Sequence, residues 1–229
     1  MRAEVRVIIT VVLLCALFIV GCRPTGAARV DQNVRVAYDI RKAELNQELA
    51  RKWENPEAHY QMGQLYHAER DWSKAEWYYN IAIGFNPAYR DAQAALVKLQ
   101  FDKGDRSKGE WAASNYMTQV ASSPEQTLTL GAAFEKQGLD DYALRCYGDA
   151  LKLAPNSPAV NRQLGYYYLA KNKQDFAKDY FIRSFQLNSN QPDVANELGK
   201  LGVAVRIPQA PEASPPSPTQ PISPPYTPK

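Results

Sequence analysis

The spacing of glycine and proline constrains this chain more than any other feature. Gly63, Gly131, Gly165 and Gly199 stand 68, 34 and 34 residues apart. Pro56, Pro124, Pro158 and Pro192 keep the same intervals, and Pro87 and Pro155 are 68 apart. The stretch Asp71-Trp72-Ser73-Lys74-Ala75-Glu76-Trp77 aligns with Asp105-Arg106-Ser107-Lys108-Gly109-Glu110-Trp111, again at 34. A fixed period of this length marks stacked supersecondary units, none of which buries its apolar face alone. Four units follow: 56–89, 90–123, 124–157 and 158–191.

Within a unit, apolar and small residues recur at spacings of three, four and seven, the period of one helix face. The first unit presents Met62, Gly63, Tyr66, then Ala75, Tyr79, Ala82 and Pro87. The third presents Leu130, Gly131, Phe134, Ala143, Tyr147, Ala150 and Pro155. The fourth presents Leu164, Gly165, Tyr168, Ala177, Phe181 and Ser184, with Ser189 in place of the last proline. The second departs, reading Leu96, Val97, Gln100, Gly109, Ala113, Tyr116 and Ala121. Its second helix exchanges small and large positions, which predicts an altered packing angle there. A small residue at a helix crossing lets two backbones approach, and the ring beside it fills the space. Proline suits the first helical position, where its missing N–H is harmless. Asn55, Ser123, Ser157 and Gln191 precede the four prolines as candidate caps.

These residues resemble the tetratricopeptide repeat (TPR) family. The resemblance implies an all-α solenoid of helix-turn-helix units whose first helices line a concave groove. Its recurring contact positions carry over to Tyr60, Gln64 and His67, then Lys98 and Phe101, then Leu128 and Glu135, then Arg162, Tyr166 and Leu169. Such a groove takes an extended or helical peptide, with the rings supplying area and Lys98 or Arg162 meeting a carboxylate. Some family members clamp a C-terminal carboxylate with Lys and Asn. Tyr60 and Gln64 occupy those positions here, so that clamp is not supported.

Capping segments flank the array. Residues 31–54, in a cap of 31–55, read as one helix with Tyr38, Leu45, Leu49 and Trp53 on one face. Residues 192–202, in a cap of 192–207, repeat the first-helix pattern once more. The segment 208–229 holds nine prolines in 22 residues and several P-x-x-P motifs. Such a run favours polyproline II or disorder, as a ligand for an aromatic groove or as a spacer.

The opening residues read as an address. Arg2 and Arg6 precede an uncharged run from Val7 to Gly21. Sixteen residues separate Arg6 from Arg23. That spans roughly 24 Å of helix against about 30 Å of hydrocarbon, which suits a signal peptide over 1–21. Ile19-Val20-Gly21-Cys22 resembles the bacterial lipobox. The resemblance implies cleavage before Cys22, a diacylglycerol on its thiol, a fatty acyl group on its amine, and a lipidated linker over 22–30. More than one acyl chain is needed for stable anchoring. Arg23 stands where, in proteobacterial lipoproteins, an Asp favours the inner membrane. Its presence points to the outer membrane, facing the periplasm.

Chemistry is sparse. Hydrolase, zincin, Walker and dinucleotide signatures are absent from the sequence. His59 and His67 lie eight apart, about 12 Å along a helix, so they share no metal, and each reads as a surface or groove residue. Asp140 and Asp141 read as caps for the following helix. With Cys15 in the signal and Cys22 acylated, Cys146 has no disulfide partner and reads as a packed thiol. A net charge of +3, from 27 Lys+Arg against 24 Asp+Glu, is too balanced to point to nucleic acid. No metal and no cofactor beyond the Cys22 lipid is expected, and function is expected to lie in a surface. Pilus-biogenesis lipoproteins of the pilotin type share this layout. The expectation is therefore a non-catalytic envelope scaffold that binds a protein or peptide and assists pilus or secretin assembly. The alternative is a regulatory adaptor of a cell-wall hydrolase or synthase. Cys22→Ala should release the protein from membranes, and carbonate extraction of the variant checks it; a variant that stays bound refutes the lipid anchor.

Overall fold

The computed structural model describes residues 32–206. Cys22, the apolar run before it and the proline-rich segment lie outside the described residues. Among the described residues there are ten helices and no strand. The first, α1 (Gln32–Arg51), belongs to a unit of its own that ends at Trp53. It buries Leu45 and Leu49, leaves Trp53 half exposed, and carries the ion pairs Arg41–Glu44, Arg41–Glu48 and Lys42–Asp39.

The second unit holds four helical hairpins and a closing helix. The hairpins are α2 (Pro56–Ala68) with α3 (Trp72–Phe85), α4 (Arg90–Lys103) with α5 (Arg106–Val120), α6 (Pro124–Lys136) with α7 (Asp140–Leu153), and α8 (Pro158–Ala170) with α9 (Gln174–Leu187). The closing helix is α10 (Pro192–Lys200). Proline opens α2, α6, α8 and α10. Asn55, Ser123 and Ser157 accept bonds from the backbone N–H of Ala58, Gln126 and Val160. Gln191 makes no such bond. Its buried amide donates to the carbonyls of Ser184 and Asn188 at 3.0 and 2.6 Å, which ties α10 to α9. The Asp71 and Asp105 motif is a pair of caps, each accepting from the backbone N–H three residues on at 3.2 Å. Asp140 and Asp141 are not caps. Leu139 takes that position, and the two carboxylates sit in the first turn of α7, where they face the positive end of its dipole.

The bend inside each hairpin repeats at 34. Arg70, Gly104, Gly138 and Asn172 all have φ between 56° and 90°. This is a left-handed geometry that glycine adopts freely and arginine rarely.

The hairpins close through contacts too tight for a methyl group. A Cβ built on Gly63 would lie 2.5 Å from the Tyr79 ring; on Gly131, 2.7 Å from Tyr147; on Gly165, 2.5 Å from Phe181. All three rings are fully buried. In the second hairpin the partners trade helices. Buried Val97 and Ala113 hold the equivalent positions. The close approach moves to Gly109 on α5, where a Cβ would lie 2.9 Å from the Phe101 ring on α4. The exchange seen in the sequence is thus answered by a glycine on the opposite helix.

A second period-34 feature is polar and buried. His59, Gln93, Thr127 and Asn161 occupy one position in the four first helices and are 0–3% exposed. Gln93 donates to the Pro87 carbonyl at 2.7 Å, Thr127 to Val120 at 2.8 Å and Asn161 to Pro155 at 3.2 Å. Each bond ties a unit to the end of the preceding one and contributes on the order of 1 kcal/mol. His59 is therefore no surface residue. Its ring fills the space between Phe85, stacked at 5.6 Å, and Tyr78 at 5.9 Å.

Gly165→Ala should lower stability by about 1–3 kcal/mol through overpacking. Gly148→Ala in α7, where a Cβ meets nothing within 4 Å, should raise it by about 0.5–1 kcal/mol. Denaturant melts of the two variants check both signs.

Candidate partner-binding site

The ten groove positions separate once side chains are placed. Gln64 is exposed and donates to the Tyr60 hydroxyl at 2.8 Å. Tyr60 itself is 3% exposed, packed edge-on to Tyr89 at 5.2 Å, so its ring offers no groove surface. The reason is local: Tyr60 fills the junction between the first and second hairpins, with Tyr79, Ala92 and Leu96. Phe101 also leaves the groove. Its ring is drawn toward Gly109 and stacks on Tyr142 at 5.9 Å, on the side of the second helices. There it lines a cleft of about 600 Å³ with Arg106, Leu139, Asp141, Tyr142 and Arg145. Leu128 and Leu169 are half-buried, packed on the central and terminal clusters.

Four of the remaining residues converge in pairs on carboxylates. His67 Nε2 lies 3.0 Å from one Asp102 oxygen, and Lys98 Nζ 2.5 Å from the other. His67 Nδ1 faces the Tyr79 hydroxyl at 3.3 Å. At the far end, Tyr166 donates to Asp193 at 3.2 Å and Arg162 pairs with the same oxygen at 3.6 Å. Glu135 accepts from the Tyr147 hydroxyl at 2.5 Å, and Gln163 donates to that hydroxyl. Burial, with Glu135 next, pushes the Tyr147 phenol far above its ordinary range. Burial first, and then Asp193, raise Tyr166 to about 12.

Asp102 and Asp193 were not among the sequence-derived positions. Neither were Asp91, which pairs with Lys136 at 3.0 Å, nor Arg90, which donates to Gln126 at 3.0 Å. Their partners His67, Tyr166, Arg162, Lys136 and Gln126 lie one unit away, at separations that only stacking brings together, while Lys98 and Asp102 are four residues apart on one helix. Lys98 and Arg162 therefore each hold a carboxylate of their own chain. These pairs are partly exposed, and such pairs are worth at most about 1 kcal/mol.

Cys146 is fully buried, and burial pushes its thiol up to about 12. Among the described residues no group of His, Cys, Asp or Glu is arranged to hold a metal ion.

No family model matches the chain. It is 28% identical over 196 residues to the type IV pilus assembly protein PilF of Pseudomonas aeruginosa, covering 83% of this chain and 70% of that one. The solved structure of pilF from that organism aligns at 25% identity and a TM-score of 0.36, over 64% of this chain and 67% of the other. YrrB, described as a TPR protein with an unusual peptide-binding site, aligns at 14% identity and a TM-score of 0.38, over 73% and 86%. The chain has a TPR-type helical-repeat fold and resembles PilF. Human protein O-mannosyl-transferase TMTC1 is 25% identical over 144 residues, which is 61% of this chain and 16% of that enzyme.

In TPR terms, consecutive first helices are joined here by charged and hydrogen-bonded pairs, while the rings of the second helices fill the hairpins. Asp193→Asn removes the negative charge beside the Tyr166 phenol. A carboxylate disfavours the phenolate, so its loss should lower the Tyr166 pKa from about 12. The value should stay above that of a free tyrosine, because burial is the larger cause. A phenolate difference titration in the ultraviolet checks both the direction and the remainder.

Proposed function

We propose that this TPR protein is a non-catalytic interaction scaffold of the bacterial cell envelope that assists pilus or secretin assembly. The observation that carries the reading is its likeness to PilF over 83% of the chain, by a protein whose name is that of a type IV pilus assembly protein. The surface chemistry supports it. The first helices offer exposed Gln64 and two cations, Lys98 and Arg162, held only by exchangeable aspartates. An extended or helical peptide fits this face, its acidic groups replacing Asp102 or Asp193. A likeness that spans 16% of TMTC1 brings no transfer chemistry with it. In this reading the lipid on Cys22 holds the chain to the outer membrane, and the repeats face the periplasm.

A photo-crosslinking residue at Gln64, in intact cells, tests the proposal. One discrete adduct with a pilus or secretin component supports it. An adduct with a cell-wall hydrolase or synthase replaces it with the adaptor role, and the absence of any adduct removes the first-helix face as the binding site.

A further inference from the structure

The fourth hairpin carries a ring arrangement that the other three lack. Tyr168 lies between two near-parallel neighbours, Phe176 at 5.2 Å and 28° and Tyr180 at 5.5 Å and 7°. Phe176 is 56% exposed, and Tyr168 and Tyr180 are half-buried. The first hairpin has the equivalent pair, Tyr66 on Tyr78 at 5.4 Å and 9°. There the third position is Lys74, whose ammonium sits 4.9 Å from the Tyr66 ring centre. In the second hairpin the matching positions are Gln100 and Ala112; in the third they are Phe134 and Cys146, and Phe134 is tilted 46° to Tyr142 at 5.6 Å, so no near-parallel strip forms.

The last described residues pack on a cluster that Tyr168 of this strip also touches. Val203 and Val205 pack on the same cluster of Ala177, Phe181, Val194 and Leu198 against which Tyr168 packs. Beyond Arg206 runs the segment 208–229, nine of whose 22 residues are proline. Between Glu212 and Lys229 it carries no charge. It therefore has nothing to offer the paired Lys and Asp residues, and much to offer flat rings.

We propose that the strip of Phe176, Tyr168 and Tyr180 is a docking site for the chain's own proline-rich segment. Polyproline II advances about 9 Å in one turn of three residues. P-x-x-P spacing at Pro215, Pro218, Pro221 and Pro224 places a proline on one edge once per turn. An aromatic surface recognises that preformed ridge at little entropic cost. A short tether supplies an effective concentration in the millimolar range, so a weak site suffices.

The test uses the purified full chain at high dilution. A benzoyl-phenylalanine replaces Phe176, and adducts are mapped by mass spectrometry. The expected result is an intrachain adduct within 208–229 that falls at least about fivefold when Pro215, Pro218, Pro221 and Pro224 become glycine. No adduct in the segment, an adduct joining two copies, or a yield equal to that from a probe at Trp111 overturns the proposal. Hydroxyl-radical footprinting needs no change to the folded part. The four-proline variant should raise oxidation of Phe176 about twofold, and an unchanged level also overturns the docking. Neither readout depends on an envelope partner, so this inference fails or stands apart from the pilus reading.

Discussion

The rest of the fold depends on one contact, the seating of an aromatic ring in the space where a Cβ would be. At Gly63, Gly131 and Gly165 that space is taken by Tyr79, Tyr147 and Phe181. Two helices approach closely only if one of them lacks a side chain at the crossing, and the ring then fills what would otherwise be a void. Dense packing makes such a site intolerant of even one carbon. The second hairpin makes the same point by inversion: with Val97 and Ala113 at the crossing, the glycine and the ring reappear as Gly109 and Phe101 on exchanged helices.

Hairpins alone do not make an array. The stacking of one unit on the next rests on buried polar side chains at a common position, of which Gln93, Thr127 and Asn161 reach carbonyls of the preceding unit. A polar group buried with its partner adds only on the order of 1 kcal/mol, whereas one buried without a partner is costly. These residues therefore select a single docking geometry more than they add stability. Along the first helices, Asp102, Asp91 and Asp193 repeat the theme at the surface, where solvent weakens the pairs and leaves them open to exchange.

That division has a consequence for recognition. The rings stay in the interior of the hairpins, so the first-helix face is mainly polar, with compensated charge and little net field. Binding there relies on geometry and exchange of partners, and long-range attraction contributes little at a net charge of +3. Rings reach solvent on the second helices, and in the fourth hairpin Phe176 and Tyr180 join Tyr168 of the first helix in one strip.

The period of 34, the helical spacing inside it and the N1 prolines determined the all-α repeat class, the hairpin limits and three of the caps, because those signals are local and each helix reports its own face. Tertiary structure decided the rest. Tyr60 leaves the groove for the core between the first two hairpins, and Phe101 for the space over Gly109 beside Tyr142, which no spacing rule registers. His59 was read as surface because a polar residue type hides its burial. Lys98 has its carboxylate, Asp102, four residues further along the same helix, a spacing the sequence itself contains, whereas Arg162 meets Asp193 only through stacking. A sequence records which face of a helix is apolar; it does not record which side chain of the next unit will stand opposite, since that follows from packing distances between residues far apart in the chain.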